Sequence, residues 1–436
     1  GIHVAGLNTK QIGYAEIVLQ ETLIPPTLDA ISQLDVIIPN SLELTSSKLR
    51  LYSMVNEICC VNSRLEHRSP GKSKIEHSEC YEEFFKSTYD YPVLHKNDAR
   101  LCDNKFSPLA AGCAYHGFIP DPFLNEFFLE ASKDLEDLVL NNVRPARNNI
   151  GVLTEEQAII GMSIPGYEGM EMDTSEGFPF ISERPKGCSN KRYLFDIKET
   201  TPRFILQGID PWLKEVMDSK MVLRKNRIQP TTIFIDCLKD MKLPKEKCLI
   251  PGKTRIFSIS PVDFTIQFRQ YFLDFMVAYQ NSNLKSEHAI GINKDSLEWT
   301  LLAKELLSVS PCIVTGDYSK FGPTLMSKCA WFSMNLIRKW YKKFGDCSDE
   351  NDLIREVLSS ELIYAKHLML NLVYEVYCGG PSGSPITTIL NNLVNKLYIR
   401  YCWNFIFKTN EVFVNEERVT MKHFRKFTKL VVYGDG

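Results

Sequence analysis

The amino-acid sequence predicts a globular protein that combines helices with short apolar strands. Its 436 residues are 44% hydrophobic and 24% charged, a composition that supplies a sizeable core and excludes a disordered or fibrous chain. Apolar residues recur at helical spacing between Phe123 and Asn141, and again from Leu325 to Phe344. Beyond residue 200, helical stretches alternate with short apolar runs. The length fits two or three structural units, or one large unit with several lobes.

Charge and cysteine content restrict the possible functions. Lys and Arg together number 51 against 53 Asp and Glu, so a site for a polyanion must come from local clusters of cations. The 13 cysteines include no pair at C-x-x-C spacing, which argues against a zinc or thiol redox site. We expect no membrane span, because no uncharged apolar run reaches about 18 residues.

The first 35 residues differ in pattern from the rest of the chain. They alternate in the manner of a strand at Ile12–Leu19 and end near Pro25 and Pro26. Judged from this pattern alone, His3 is an ordinary buried histidine of an N-terminal hairpin. The sequence begins without Met and in mid-pattern, which predicts that a segment has been removed upstream.

Two apolar runs end on an aspartate. Residues 311–316 lead to Asp317, and residues 429–434 lead to Asp435. We predict that both runs are strands; if they are neighbours in one sheet, the two carboxylates converge and can hold Mg²⁺. The competing interpretation is that each aspartate simply forms a turn at the end of its strand.

Two further segments carry polar chemistry. Residues 379–385 form a Gly/Ser/Pro loop that opens a helix, and its glycines would let a nucleic-acid backbone approach closely. Capping of that helix by Ser382 or Ser384 is the alternative. Residues 239–255 contain six cations, which would either clamp a triphosphate or form a solvated surface.

The order of these motifs resembles that of the RNA-dependent RNA polymerases of picornavirus-like positive-strand RNA viruses. Residues 174–179 look like the T-S-x-G-x-P motif at the mouth of the template channel, and residues 239–255 look like the fingers motif beside the nucleotide tunnel. Residues 382–391 match S-G-x-x-x-T-x-x-x-N, and residues 433–435 begin Y-G-D-D. The amino-acid sequence of residues 317–323 looks most like that of insect iflaviruses. Residues 69–76 and 93–101 are similar to segments near the polymerase N-terminus.

The resemblance implies an α+β right-hand polymerase, represented by its fingers and part of its palm. The palm would be an antiparallel sheet with helices, and the thumb would be missing. This polymerase region would span residues 36–436. Gly1–Gly6 resembles the G-x-H-x-x-G motif near the end of the picornaviral chymotrypsin-like cysteine protease. Residues 1–35 would then be a short β-barrel remnant of that protease, with His3 from its substrate pocket.

The resemblance also implies template-directed RNA synthesis by two-metal nucleotidyl transfer, for replication of a viral genome. Asp317 and Asp435 would be the catalytic residues and would hold Mg²⁺, with Mn²⁺ as an alternative. The residues expected to bind the nucleotide are Lys245, Lys247, Lys253, Arg255, Ser382, Thr387 and Asn391. The residues expected to bind RNA are Thr174, Ser175, Gly177 and Gly383.

The implied partners are template and primer RNA, ribonucleoside triphosphates and other viral replication proteins. The implied location is the host cell cytoplasm, at membrane-associated replication complexes. Two positions depart from the family pattern: Gly322 replaces a second aspartate that checks the ribose, and Gly436 replaces the last aspartate of Y-G-D-D. We therefore expect the sequence as given, which would be truncated at that motif, to be inactive alone.

Two other functions compete with this interpretation. A non-catalytic RNA-binding module is the alternative favoured by the missing second aspartate. A reverse transcriptase fits less well, because Ser382 and Asn391 suit selection of a ribonucleotide. An active protease is excluded, since its nucleophilic cysteine and general base would precede Gly1.

Overall fold

The computed structural model of the protein describes residues 56–61, 65–67, 70–102, 106–117, 123–200 and 203–434. The predicted protease remnant at 1–35, with His3, lies outside these residues. Asp435 and Gly436 lie outside them as well. The roles assigned to these positions from the sequence stay predictions.

The two helices predicted from apolar periodicity are confirmed, with small changes at their ends. The α-helices are α1 (Glu79–Phe84), α2 (Pro108–Cys113), α3 (Asn125–Asn142), α4 (Glu155–Ile160), α5 (Pro211–Lys225), α6 (Lys245–Cys248), α7 (Val262–Gln280), α8 (Leu297–Leu306), α9 (Phe321–Thr324), α10 (Ser327–Phe344), α11 (Asp349–Ile363), α12 (Thr387–Thr409) and α13 (Phe424–Phe427). Helices α3 and α10 are the predicted pair. Among the described residues, no helix combines the length and the hydropathy that crossing a membrane requires.

The strands form one five-stranded sheet and three two-stranded ribbons. They are β1 (Asn56–Cys60), β2 (Tyr89–Asp90), β3 (Phe195–Thr200), β4 (Arg203–Ile209), β5 (Ile233–Leu238), β6 (Leu243–Pro244), β7 (Ile256–Ile259), β8 (Lys366–Met369), β9 (Leu372–Glu375), β10 (Phe413–Val414) and β11 (Glu417–Arg418). The sheet has the order β1-β9-β8-β5-β7, and its pairs are antiparallel except for β5 with β8. Strand β7 lies at an edge of this sheet, and the mixture of helices and sheet confirms the α+β class.

Helix α7 connects the sheet to the helical part of the core. Its Phe264 ring packs against Phe234 of β5 at 5.6 Å, and its Phe275 ring packs against Trp340 of α10 at 5.3 Å. The Trp340 indole N–H donates to the carbonyl of Val143 at 2.8 Å, so burial of this ring leaves its donor satisfied. Each of these buried rings stabilises the fold by roughly 1.5–3 kcal/mol.

Helix α12 is held by both polar and aromatic contacts. Tyr401 stacks on Phe123 with ring centroids 3.7 Å apart. The buried Arg400 guanidinium pairs with Glu287 and Asp134, each at 2.8 Å. Because buried charges are stable only when paired, these contacts restrict the rotation of α12 about its axis. The helix therefore offers a rigid support for the segments that pack on it.

The prediction that the two apolar runs before Asp317 and Asp435 are regular strands is wrong. Residues 312–318 have no regular secondary structure, and Val314 is 94% exposed. The second run forms only a single parallel β-bridge, between Val432 and His288. A strand forms when a neighbour satisfies its backbone N–H and C=O groups, and neither run has a strand-length neighbour in the part of the chain that the structure describes.

Candidate active site

The loop at residues 379–386 packs closely against β7 before it enters α12. An ideal Cβ on Gly383 would lie 2.1 Å from the carbonyl oxygen of Ser258, so a side chain at this position cannot fit without a shift. Gly383 also forms a parallel β-bridge with Ile259. The Ser258 backbone N–H donates to Ser382 Oγ at 3.2 Å. These contacts hold Ser382 and Gly383 at the edge of the sheet.

The alternative role for the loop serines, a cap on α12, does not occur. The residue before the helix is Ile386, and no side chain of the described residues caps the first turn. The Ser384 hydroxyl bonds instead to the Thr387 hydroxyl at 2.8 Å, and Thr387 Oγ1 also lies 3.2 Å from the Pro381 carbonyl. Thr387 thus stabilises the loop from within, whereas the Ser382 side chain is exposed. Asn391 follows one turn later on α12 and is half-buried.

Asp317 lies on an exposed segment that is anchored on α12. Within the described residues its carboxylate forms no hydrogen bond or ion pair. The ring of the next residue, Tyr318, packs against Tyr398 of α12 at 6.2 Å. The Gly380 backbone N–H donates to the Gly322 carbonyl at 3.1 Å. The segment that follows Asp317 is therefore bound to α12 and to the loop that precedes it.

The residue before Asp435 is anchored on the same helix. The Gly434 backbone N–H donates to Asn392 Oδ1 at 2.6 Å, and the Asn395 amide donates to the Gly434 carbonyl at 3.4 Å. Asn392, Asn395 and Tyr398 are three residues apart, so they lie on one i±3 row of α12, which rises about 4.5 Å and turns by about 60° from one residue to the next. The neighbours of Asp317 and Asp435 thus contact one stripe of α12.

Four cations predicted to bind the nucleotide are exposed in the basic tract. In the part of the chain that the structure describes, none of them forms an ion pair with an acidic residue. Unpaired and solvent-facing cations are suited to an anionic ligand, because binding breaks no existing ion pair. These residues are Lys245, Lys247, Lys253 and Arg255.

The backbone of the basic tract is fixed on both sides. The Lys239 N–H donates to the Arg255 carbonyl at 2.8 Å, which closes the tract at its base. An ideal Cβ on Gly252 would lie 2.7 Å from the ring of Tyr115, and Lys320 Nζ lies 3.4 Å from the centre of that ring. Tyr115 therefore lies between the basic tract and the turn that follows Asp317.

A cavity of about 520 Å³ brings together three of the four residues predicted to bind RNA. Thr174, Ser175 and Gly383 line it, together with β7. Two cations that the sequence did not single out, Lys191 and Arg269, also line this cavity. Burial lowers the pKa of Lys191 to about 8 and that of Arg269 to about 10. Both side chains remain mostly charged at neutral pH.

Gly177 does not line this cavity, because it packs against the start of α7. An ideal Cβ on Gly177 would lie 2.8 Å from Pro261 Cα, and the residue has a φ of +74°. The adjacent Glu176 carboxylate is buried and accepts from Arg184 Nε at 2.7 Å and from Tyr193 at 3.1 Å. Burial opposes ionisation of Glu176, but the Arg184 guanidinium outweighs it, so the pKa of Glu176 is lowered. This ion pair fixes the backbone beside Ser175.

A buried polar cluster that no sequence motif indicates lies behind the loop. The Asp236 carboxylate accepts from Ser258 Oγ at 2.8 Å, from His367 Nδ1 at 2.9 Å and from the Tyr374 hydroxyl. Ligand-type atoms of His116, Asp236 and His367 lie within 4.8 Å of one another. Burial opposes ionisation of Asp236, yet its hydrogen-bond donors hold the pKa of Asp236 at about 2. The carboxylate is thus satisfied by protein donors.

Comparison with known proteins assigns the chain to a family. A family model described as viral RNA-dependent RNA polymerase matches residues 128–435, more than two thirds of the chain. The chain belongs to the viral RNA-dependent RNA polymerase family. The family expected from the motif order is therefore confirmed.

Individual relatives of the chain agree with the family assignment. It is 37% identical to the genome polyprotein of Deformed wing virus over 442 residues, covering 100% of the chain but 15% of that polyprotein. It is 29% identical to the replicase polyprotein of Acute bee paralysis virus (strain Rothamsted), covering 23% of it. The solved structure of a Sicinivirus 3Dpol RNA-dependent RNA polymerase superposes with a TM-score of 0.65 at 21% identity, over 88% of this chain and 71% of that one. This likeness establishes a shared fold.

Proposed function

We propose that this chain forms the fingers and part of the palm of a polymerase that synthesises RNA on an RNA template. The reaction joins the 3′-hydroxyl oxygen of the primer to the α-phosphorus of a ribonucleoside triphosphate. The bond to the departing pyrophosphate breaks, and the hydroxyl proton is lost. The product extends the RNA of a positive-strand virus in the host cytoplasm.

The observation that carries this proposal is the shared support of the two aspartate segments. Tyr318, next to Asp317, and Gly434, next to Asp435, both contact the α12 stripe formed by Asn392, Asn395 and Tyr398. Segments held on one row of α12 favour convergence of the Asp317 carboxylate, which precedes the Tyr318 contact, and the Asp435 carboxylate, which follows the Gly434 contacts. In a two-metal site, the ions lie about 3.5–4 Å apart and share such ligands.

The donor chemistry of Asp317 fits a divalent cation. Its exposed carboxylate has no partner among the described residues, and carboxylate oxygens are the ligands that Mg²⁺ and Mn²⁺ prefer. Divalent ions bound by Asp317 and Asp435 would lower the pKa of the primer 3′-hydroxyl and neutralise charge on the leaving pyrophosphate. The contribution of the protein is to hold the two carboxylates at fixed positions.

The remaining predicted residues would bind the two substrates. Lys245, Lys247, Lys253 and Arg255 would contact the triphosphate as cations, and Ser382 with Asn391 would contact the ribose 2′-hydroxyl. The template would pass the cavity lined by Thr174, Ser175 and Gly383, with Lys191 and Arg269 contacting its phosphates. Base pairing with the template would then select the nucleotide.

Primer extension tests this proposal directly. The assay uses the mature viral polymerase that carries this sequence, a homopolymeric RNA template and Mg²⁺. Asp317→Asn keeps the shape of the side chain and removes its charge, so extension should fall by about 100-fold or more while RNA binding is retained. Asp349→Asn is the matched control, because Asp349 is exposed on the first turn of α11.

Two results would contradict the proposal. Extension that survives Asp317→Asn would show that the carboxylate lies outside the reacting centre. RNA binding by the unmodified polymerase without any extension would favour a non-catalytic RNA-binding module.

A further inference from the structure

A line of hydrogen bonds runs from the protein interior to the exposed Ser382 hydroxyl. Asp236 on β5 and Ser258 on β7 are directly paired in the sheet and are 1% and 2% exposed. The Ser258 hydroxyl donates to the Asp236 carboxylate at 2.8 Å, and the Ser258 backbone N–H donates to Ser382 Oγ at 3.2 Å. Ser258 therefore connects a buried charge to the loop that leads into α12.

The inner end of this line is firmly held. Besides Ser258, the Asp236 carboxylate accepts from His367 on β8 and from Tyr374 on β9. Tyr374 is held in turn by the His116 ring, whose Nδ1 lies 2.8 Å from its hydroxyl. A carboxylate bonded from several elements cannot rotate without breaking charge-assisted bonds. Asp236 thus holds the Ser258 hydroxyl in a fixed position.

The outer end determines how Ser382 can bond to a ligand. A serine oxygen has two lone pairs and one proton. The Ser258 N–H occupies one lone pair, and the β-bridge between Gly383 and Ile259 keeps the loop on β7. Among the described residues, the proton and the other lone pair of Ser382 have no partner, so they are left for a group that approaches from the solvent side.

We propose that Asp236 and Ser258 are positioning residues for ribose selection: they orient the Ser382 hydroxyl toward the 2′-hydroxyl of the incoming nucleotide. This inference rests on the proposed polymerase function. A ribose 2′-hydroxyl both donates and accepts, whereas a 2′-deoxyribose offers no polar group there. The orientation of Ser382, in addition to its presence, then sets the preference for ribonucleotides.

The test compares a ribonucleotide with its 2′-deoxy analogue in the mature viral polymerase. Ser258→Ala removes the bond to Asp236 but keeps the backbone N–H. It should reduce the ratio of the two kcat/KM values about three- to tenfold, which is the worth of one hydrogen bond. The reduction should come from the ribonucleotide. Ser333→Ala is the control, because the Ser333 hydroxyl is buried and bonds within α10, to the Cys329 carbonyl at 2.8 Å.

A double variant separates positioning from general structure. Ser258→Ala combined with Ser382→Ala should discriminate no worse than Ser382→Ala alone, since both changes act through the same hydroxyl. Asp236→Asn should reduce discrimination in the same direction, and its thermal unfolding is followed in parallel. If Asp236→Asn does not fold, the two serine variants still decide the question.

Three outcomes would overturn the inference. Equal losses for both nucleotides in Ser258→Ala would assign Ser258 a purely structural role. Additive losses in the double variant would show that Ser258 does not act through Ser382. Stoichiometric zinc in the purified polymerase that disappears in Asp236→Asn would make Asp236 a metal ligand instead. If the unmodified polymerase extends no primer, the proposed function itself fails.

Discussion

Replacing Gly383 by alanine should disturb the candidate active site through steric contact alone. The new Cβ would lie 2.1 Å from the Ser258 carbonyl oxygen, whereas ordinary contact begins at 3.4 Å, so the loop or β7 must move by about 1.3 Å. Such overpacking costs about 1–3 kcal/mol of stability. The same movement would stretch the bond from the Ser258 N–H to Ser382, and a misplacement of about 1 Å can cost about 100-fold in rate.

Gly380 in the same loop provides a matched control. An ideal Cβ on Gly380 has no atom of the described part of the chain within 4 Å, and Gly380→Ala keeps the N–H that donates to Gly322. Primer extension and denaturant unfolding of both variants are measured beside the unmodified polymerase. Gly383→Ala with unchanged extension and unchanged stability would refute the argument, because the close approach to Ser258 would then have no consequence. Equal losses in Gly380→Ala would refute it as well.

The remaining predictions concern charge. Arg255→Ala should raise the KM for nucleotide about tenfold or more without weakening RNA binding. Lys294→Ala, a control at an exposed lysine, should change neither quantity. Equal losses of nucleotide use and RNA binding in Arg255→Ala would indicate a general RNA-binding surface. Lys191→Ala should weaken template binding and lower the slope of log affinity against log salt by about 1, in contrast to the exposed Lys186→Ala. Burial holds the pKa of His288 at about 3 in the folded protein, against about 6.5 in the unfolded chain. The neutral imidazole therefore contributes to stability fully above pH 6.5, and this contribution is lost as the pH falls toward 3. When the pH is lowered from 7 to 5, the free energy of unfolding should fall by about 2 kcal/mol more in the unmodified polymerase than in His288→Gln. Equal falls in the two proteins would contradict the lowered pKa of His288.

Residues whose chemistry is carried by a short motif could be recognised from the sequence. The structure explains the motif that contains Ser382 and Gly383. The loop approaches β7 closely at Gly383, and helix α12 begins four residues after it. The helix Ser327–Phe344 was predictable because one apolar face repeats at helical spacing. Strands were harder: the run before Asp317 is apolar, but strand formation depends on a neighbour that local sequence cannot reveal.

Residues that act by long-range contact could not be recognised in this way. Asp236 and His367 are 131 positions apart in the sequence, and a buried aspartate looks like any other until the fold brings its donors together. Asn392 and Asn395 read as ordinary polar residues of α12, although they hold the backbone of Gly434. Lys191 and Arg269 belong to different elements, and only the cavity they share gives them a common role.

The contacts of Gly322 explain why the orientation of Ser382 depends on the sheet. At this position the protein has no side chain, and its carbonyl accepts the backbone N–H groups of Gly380 and Leu325. The turn after Asp317 therefore binds the loop through backbone atoms and offers Ser382 no polar side chain from residue 322. The bond that Ser382 does receive comes from Ser258, which is itself fixed by Asp236. Because β5 and β7 also flank the basic tract, the same pair of strands supports the cations proposed to bind the triphosphate and the hydroxyl proposed to bind the ribose.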